Sequence, residues 1–212
     1  MNIPTKSEII NALIKRHGKN IQEKFSSATV AICGLGGLGS NIAVSLARSG
    51  IGRLILIDFD RVDISNLHRQ QYKANQIGIE KTRALSDNLK ELAPYVNITA
   101  YNAFITEQNA AYYLKDADVI CEAFDDPTCK ADFVNNVLEK MPDKYIIAAS
   151  GMAGIGSANS IKTRRISKNF YLSGDGVSDV SEENGMFSSR VMLCAAHQAH
   201  MVLRILSGEY DE

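Results

Sequence analysis

Apolar residues recur along this 212-residue chain as short continuous runs separated by longer stretches of helical spacing. The runs at 30–33, 54–57, 118–121 and 144–149 read as buried strands, and 96–101 alternates like a strand. Between them, helical patterns run from the glycine turn at 34–39 through Ser49 and over 79–93, 106–114 and 127–140. Leu85, Leu89 and Leu92 share one face of the second, with Pro94 beyond its end. Thr106 is expected to cap the third. Ahead of the first strand, 7–17 reads as an amphipathic helix, with Ser7 as N-cap and Gly18 as stop, followed by a short helix over 20–25. Strands and helices alternating at this spacing predict an α/β fold, a Rossmann-like, doubly wound, mainly parallel sheet.

The last third departs from that alternation. Segments 157–163 and 170–172 read as two strands, compatible with an antiparallel edge. The stretch 173–189, SGDGVSDVSEENGMFSS, is small, polar and acidic and is expected to be a mobile loop. An amphipathic helix over 190–206 then runs to Gly208. The expected organisation is a single domain, 1–212: a helical arm (1–27), a core (28–150) and a C-terminal part (151–212).

Composition narrows the classes. Hydrophobic content of 45%, charge of 22% and a formal net charge of −1 suit a soluble globular protein without a nucleic-acid partner. Four cysteines, at 33, 121, 129 and 194, contain no Cys-x-x-Cys pair, so reduced and mostly buried thiols of a cytoplasmic protein are expected. The N-terminus lacks signal-peptide character, and no apolar run approaches the roughly 20 residues that span a bilayer.

The chemistry begins at the first strand. Gly34, Gly36 and Gly39 match G-x-G-x-x-G between a strand and a helix. The first permits the turn, the second admits phosphate to the backbone, and the third lets helix pack on strand. Asp58 follows at about the 20-residue distance of a ribose-binding acid. Asp60 reads either as part of that site or as a turn cap. Beyond them, Asn66, Arg69 and Gln70 cluster, and Lys81 heads the next helix. Two cations near the sugar end of a nucleotide suit work on a polyphosphate, whereas a dehydrogenase would follow its ribose acid with a nicotinamide pocket. Asp125 falls at the carboxyl end of the sheet, where it reads as a Mg²⁺ ligand or as the N-cap of the helix starting at Pro127.

The stretches GLGGLGS (including Gly37) and IDFDRVDISNLHRQQY, the turn from Gly78 to Lys81, and Asp125 resemble the ThiF/MoeB/ubiquitin-activating (E1-like) superfamily. The resemblance is nearest to the short ThiF-type adenylyltransferases of the sulfur carrier ThiS. It implies a homodimer that binds Mg-ATP and adenylates the C-terminal Gly-Gly carboxylate of a ubiquitin-like carrier, in thiamin thiazole synthesis. Asp58 would hold the ribose, Asn66 and Arg69 the phosphates, Lys81 the α-phosphoryl group and Asp125 the metal. Arg16 would reach ATP from the arm of the partner subunit. Zinc is not expected, because the Cys-x-x-Cys pairs of zinc-bearing relatives are missing. No cysteine lies in 173–189 to join covalently to a carrier, and Cys194 and His197 read as packed helix residues more readily than as an activated thiol. The acidic loop orders over the carrier tail or is simply a surface loop. The alternatives are another acceptor (the molybdopterin carrier or a tRNA), a non-catalytic E1-like scaffold, or a dinucleotide-dependent oxidoreductase.

Overall fold

A computed structural model describes residues 3–179 and 185–211. In chain order it contains α1 (Lys6–His17), α2 (Lys19–Ser27), β1 (Thr29–Cys33), α3 (Gly37–Arg48), β2 (Arg53–Asp58), α4 (Lys81–Leu92), β3 (Asn97–Asn102) and α5 (Ala110–Leu114). These are followed by β4 (Val119–Glu122), α6 (Pro127–Lys140), β5 (Tyr145–Ala149), β6 (Lys162–Ser167), β7 (Phe170–Gly174) and α7 (Ser188–Ser207). The sheet runs β3-β2-β1-β4-β5-β7-β6. All its pairings are parallel except β6 with β7, so both the parallel core and the antiparallel edge are present.

The central strands are apolar at successive positions because both of their faces are covered. Val30, Ile32, Leu54, Leu56, Val119 and Cys121 face a layer of α3, α4 and α7. Ala31, Cys33, Ile55, Ile57, Ile120 and Ile146 face α5 and α6. The arm lies at the amino ends of the strands: α1 packs on α2, Leu13 reaches Gly50 just before β2, and the Tyr95 hydroxyl donates to the Pro4 carbonyl at 2.8 Å. No helix among the described residues is long and apolar enough to cross a membrane.

Several expected boundaries move, each for a local reason. Thr5 caps α1 in place of Ser7, accepting the Glu8 N–H at 3.3 Å while Glu8 accepts the Thr5 N–H at 2.7 Å. The helix expected from 79 starts at Lys81, because Val62 exchanges backbone bonds of 2.8 Å with Ile79 and Gly78. Thr106 caps nothing: its N–H donates to Asn109 Oδ1 at 2.8 Å, and α5 begins only at Ala110. The strand expected over 157–163 begins at Lys162, after a short 3₁₀ turn at Ala158–Ser160. The loop expected over 173–189 is shortened at both ends by β7 and α7, and its residues 180–184 lie outside the described residues.

One approach is closer than a side chain would allow. A Cβ on Gly39 would overlap the Gly34 carbonyl oxygen. Gly39→Ala should therefore destabilise the fold by about 3 kcal/mol through overpacking, measured by denaturant unfolding.

Candidate active site

The carboxyl ends of the parallel strands open into a cleft of about 1240 Å³. It sits where the chain winds outward from β1 in one direction and from β4 in the other, the ligand crevice of open α/β sheets. The three glycines differ in their surroundings as their motif roles require. Gly34 has φ +90°, with its Cβ position 2.7 Å from the Ala123 carbonyl, so the turn excludes a side chain. Gly36 meets only Gln70 Nε2, at 3.7 Å, and leaves its face open. Gly39 seats α3 on β1. Among the described residues no side chain caps the N-terminus of α3, so its N–H groups and dipole face the cleft beside Gly36 and Gly37.

Asp58 ends β2 with only 8% exposure. Its Oδ2 accepts the Leu35 N–H at 2.6 Å and its Oδ1 the Asp60 N–H at 2.8 Å. Burial raises its pKa above the usual carboxylate value, against Lys81 and these two amides. The Lys81 side chain is 7% exposed, with Nζ 2.7 Å from Asp60 Oδ2. The Lys81 N–H also donates to the Asp60 carbonyl at 2.9 Å. Asp60 is thus the residue that aims Lys81.

A 3₁₀ turn at Ile64–Asn66, opened by Asp63 accepting the Ser65 N–H at 2.8 Å, brings Asn66 to the cleft wall. Arg69 Nη2 donates to Asn66 Oδ1 at 2.7 Å, which fixes the guanidinium. Burial lowers the Arg69 pKa and the neighbouring Asp125 opposes the shift. Gln70 is buried and lines the cleft, and its Oε1 has no hydrogen-bond partner among the described residues. The Tyr72 hydroxyl closes the back of the loop, donating to the Leu35 carbonyl at 2.7 Å.

Asp125 is exposed on the opposite wall. Its reading as an N-cap fails: Asp126 does that work, accepting the Cys129 N–H at 2.7 Å. Among the described residues no cluster of three acidic, histidine or cysteine side chains could hold a metal. A single free carboxylate fits an ion that draws its other ligands from bound phosphates and water, as Mg²⁺ does. Two predicted site residues do not line the cleft: Gly39, buried where α3 meets the turn after β1, and Arg16, exposed on α1 at the opposite end of the sheet.

Two largely buried ion pairs stand beside the cleft. Glu122, fully buried at the end of β4, accepts from Lys130 Nζ at 2.7 and 2.8 Å and from the Phe124 N–H at 2.7 Å. Burial raises its pKa, with Lys130 pulling it back. Asp175 pairs with Arg190 at 2.6 Å, both nearly buried, and ties the segment after β7 to α7. The i, i+8 spacing of the first pair and the long separation of the second leave no periodic signal. The Asp126-Pro127 start of α6 did carry one, an N-cap followed by proline at N1. Cys194 is buried, its thiol pushed up to about 12 chiefly by desolvation, and its Sγ donates to the Ser173 carbonyl at 3.6 Å. His197 contacts Thr163 instead, through Nδ1 at 3.2 Å, so the two do not form an activated pair.

The family model described as "ThiF family" matches residues 9–212. The adenylyltransferase and sulfurtransferase UBA4 of Lodderomyces elongisporus is 28% identical over 197 residues, covering 90% of this chain and 43% of that protein. Ubiquitin-like modifier-activating enzyme 5 of Caenorhabditis elegans is 45% identical over 87 residues, 41% of this chain and 21% of its own. The chain thus spans less than half the length of these relatives. The fold superposes on E. coli tRNA N6-threonylcarbamoyladenosine dehydratase, TcdA, in complex with ATP, with a TM-score of 0.85, 18% identity and 98% of each chain covered.

That Asp126 and not Asp125 caps α6 is measurable. Asp126→Ala should cost about 1 kcal/mol as a lost cap, and Asp125→Ala should stay within about 0.5 kcal/mol of wild type in the same unfolding assay. Cys129 is exposed whereas Cys33, Cys121 and Cys194 are buried. A thiol reagent at pH 8.5 should therefore label one site per native chain and all of them after unfolding, counted by mass spectrometry.

Proposed function

The chain belongs to the ThiF family, and from that premise we propose that it is an ATP-dependent adenylyltransferase acting on the C-terminal Gly-Gly carboxylate of a ubiquitin-like sulfur carrier. The finer reading is a ThiS-type carrier in cytoplasmic thiamin thiazole synthesis. One observation carries the proposal: a single cleft gathers the open glycine turn, Asp58, the Arg69–Asn66 pair, the Asp60–Lys81 pair and the free Asp125. At about 1240 Å³ it exceeds the roughly 300–1,000 Å³ of an ordinary small-molecule pocket, leaving room for a nucleotide and an extended tail together. The activities of the relatives, adenylyl transfer and the activation of ubiquitin-like modifiers, support the same chemistry.

The carboxylate of Asp58 still has lone pairs free after its two amide bonds, and these would accept the ribose hydroxyls. The triphosphate would cross the N-terminus of α3 toward Arg69, whose fork is already held flat by Asn66. Lys81 would stand at the α-phosphoryl group, kept in place by Asp60 and by its burial. Asp125 would hold Mg²⁺, which neutralises phosphate charge when bound. A tail carboxylate oxygen then attacks the α-phosphorus, the bond to the bridging oxygen breaks, and pyrophosphate leaves an acyl-adenylate. No protein nucleophile is needed: the side chains position the substrates and stabilise charge as it moves. Arg16 can contact this ATP only from a second copy of the chain, so its role rests on a homodimer.

The test is ATP–pyrophosphate exchange against several carriers ending in Gly-Gly. Exchange should require carrier, and Arg69→Ala and Lys81→Ala should each lower it about 100-fold or more with thermal unfolding little changed. A protein that binds ATP but exchanges with none of these carriers would refute the proposal. AMP formation that depends on tRNA would reassign the acceptor.

A further inference from the structure

Behind one wall of the cleft, a single ion pair joins three stretches of chain that are distant in sequence. Asp175, just after β7, and Arg190, in the first turn of α7, meet at 2.6 Å with side chains 7% and 6% exposed. Asp175 Oδ1 accepts the N–H groups of Val177 and Ser178, each at 2.9 Å, and its Oδ2 accepts the Ser178 hydroxyl at 2.8 Å. Arg190 Nη1 donates to the Ser157 carbonyl, in the segment after β5, at 2.9 Å. The segments after β5 and β7 are also joined directly: the N–H groups of Asp175 and Gly176 donate to the carbonyls of Gly151 and Ser150 at 2.9 and 3.0 Å. A Cβ on Gly151 would overlap Asp175 Oδ1, so the backbone there makes room for the carboxylate. Residues 150–153 and 176–178 line the cleft, and the pair stands behind the surface they form.

The start of α7 is tied to the phosphate-binding turn as well. Val191, the next residue, lies against Gly37, its Cγ1 2.8 Å from where a Cβ would stand. His68, beside Arg69, contacts the Met186 carbonyl through Nε2 at 3.1 Å. The first turn of α7 is thus a strut, with the glycine turn on one side and, through Arg190, the wall at 150–153 and 176–178 on the other. Stability does not account for a charged strut. A buried ion pair is often no more stabilising than apolar residues of the same volume. A cation in the first turn of a helix is opposed by the helix dipole, and Arg190 Nε is buried without a partner among the described residues. What the pair supplies, and apolar side chains would not, is direction. A carboxylate holding two backbone amides and a planar fork reaching two acceptors keep the wall at one separation from the glycine turn.

We infer that Asp175 and Arg190 are a positioning pair for the adenylation step: they set the distance between this wall and the glycine turn, and so the approach of the acceptor carboxylate to the α-phosphorus. The inference rests on the adenylation reading and adds to it two residues that do not line the cleft. Their hydrogen-bond partners include none of Asp58, Asn66, Arg69 and Lys81. The glycine turn is pinned separately, by the bonds of Gly34 to Ile57 and of Leu35 to Asp58. Loss of the pair therefore leaves nucleotide binding intact. It acts on how the two reactants meet inside the cleft, where a displacement of about 1 Å can lower the rate about 100-fold.

The experiment compares wild type, Asp175→Leu/Arg190→Met, Arg190→Lys and a control, Lys73→Gln/Glu91→Gln, which removes an exposed ion pair. Each is assayed for ATP–pyrophosphate exchange with a ThiS-type carrier, alongside thermal unfolding. Replacing both members of the buried pair by apolar side chains of similar size leaves no charge buried alone, so the fold is retained. The double variant should lose about 30-fold or more in kcat, with KM for ATP within about twofold of wild type. Arg190→Lys keeps the charge but offers a point donor in place of a fork, and should lie about fivefold below wild type in kcat. The control should match wild type. An unaltered kcat in the folded double variant overturns the inference and leaves the adenylation reading standing. So does a loss of kcat that is matched by a rise in KM for ATP, or one that simply follows thermal stability across the variants. If the double variant does not fold, Arg190→Lys decides in the same way. Wild type that binds ATP yet exchanges with no carrier ending in Gly-Gly overturns the adenylation reading, and this inference with it.

Discussion

The contact on which the site depends is the approach of α3 to the turn after β1, where the α-carbon of Gly39 lies against the carbonyl of Gly34. That contact lets α3 begin directly over the sheet and point its uncapped N-terminus along the carboxyl ends of the strands. The same turn is pinned from the other side: Gly34 donates to the Ile57 carbonyl at 2.9 Å and Leu35 to Asp58 at 2.6 Å. An anion-binding helix end and a buried carboxylate are therefore parts of one rigid unit. The unit is held by backbone groups, so its geometry does not rest on long flexible side chains.

Around that unit the cleft divides its charge. Lys81 is restrained by Asp60 and by burial and Arg69 by Asn66, so in the proposed reaction each cation would need little reorganisation as charge develops. Asp58 has its pKa raised by burial, yet two amides and Lys81 oppose the shift. Asp125 is exposed and makes no side-chain hydrogen bond or ion pair among the described residues, as would suit a group whose partners arrive with a bound nucleotide. The deeper pairs, Glu122 with Lys130 and Asp175 with Arg190, brace the floor and the far wall. Burying such pairs is expensive unless further hydrogen bonds satisfy them. Both acids accept backbone amides as well as their cation, which supplies those bonds.

On the reading proposed above, the cleft would hold a nucleotide together with the extended end of its acceptor. The site would then place the reaction at a phosphoryl group and leave the choice of acceptor to surfaces outside it. Separating the two lets a nucleotide site common to a family serve different acceptors without changing the residues around the phosphates.

Much of this was legible in the chain itself. Continuous apolar runs marked the strands because both of their faces are buried, and the glycine spacing marked the turn because only glycine fits at Gly34 and Gly39. Asp58, Lys81 and Asp125 could be singled out by their places at the ends of elements, whereas Asn66 and Arg69 reach the cleft on a 3₁₀ turn and the loop behind it. Other features lay beyond local pattern. Which of Asp125 and Asp126 caps α6 depends on the backbone angle at the end of β4. That Asp60 aims Lys81 depends on two segments 21 residues apart being brought together. The buried pairs and the placement of Arg16 far from the cleft depend on which elements pack side by side. Short-range periodicity reports whether a residue is inside or outside its own element. Only the packed sheet decides what stands opposite it, because burial and charge pairing are properties of neighbours in space.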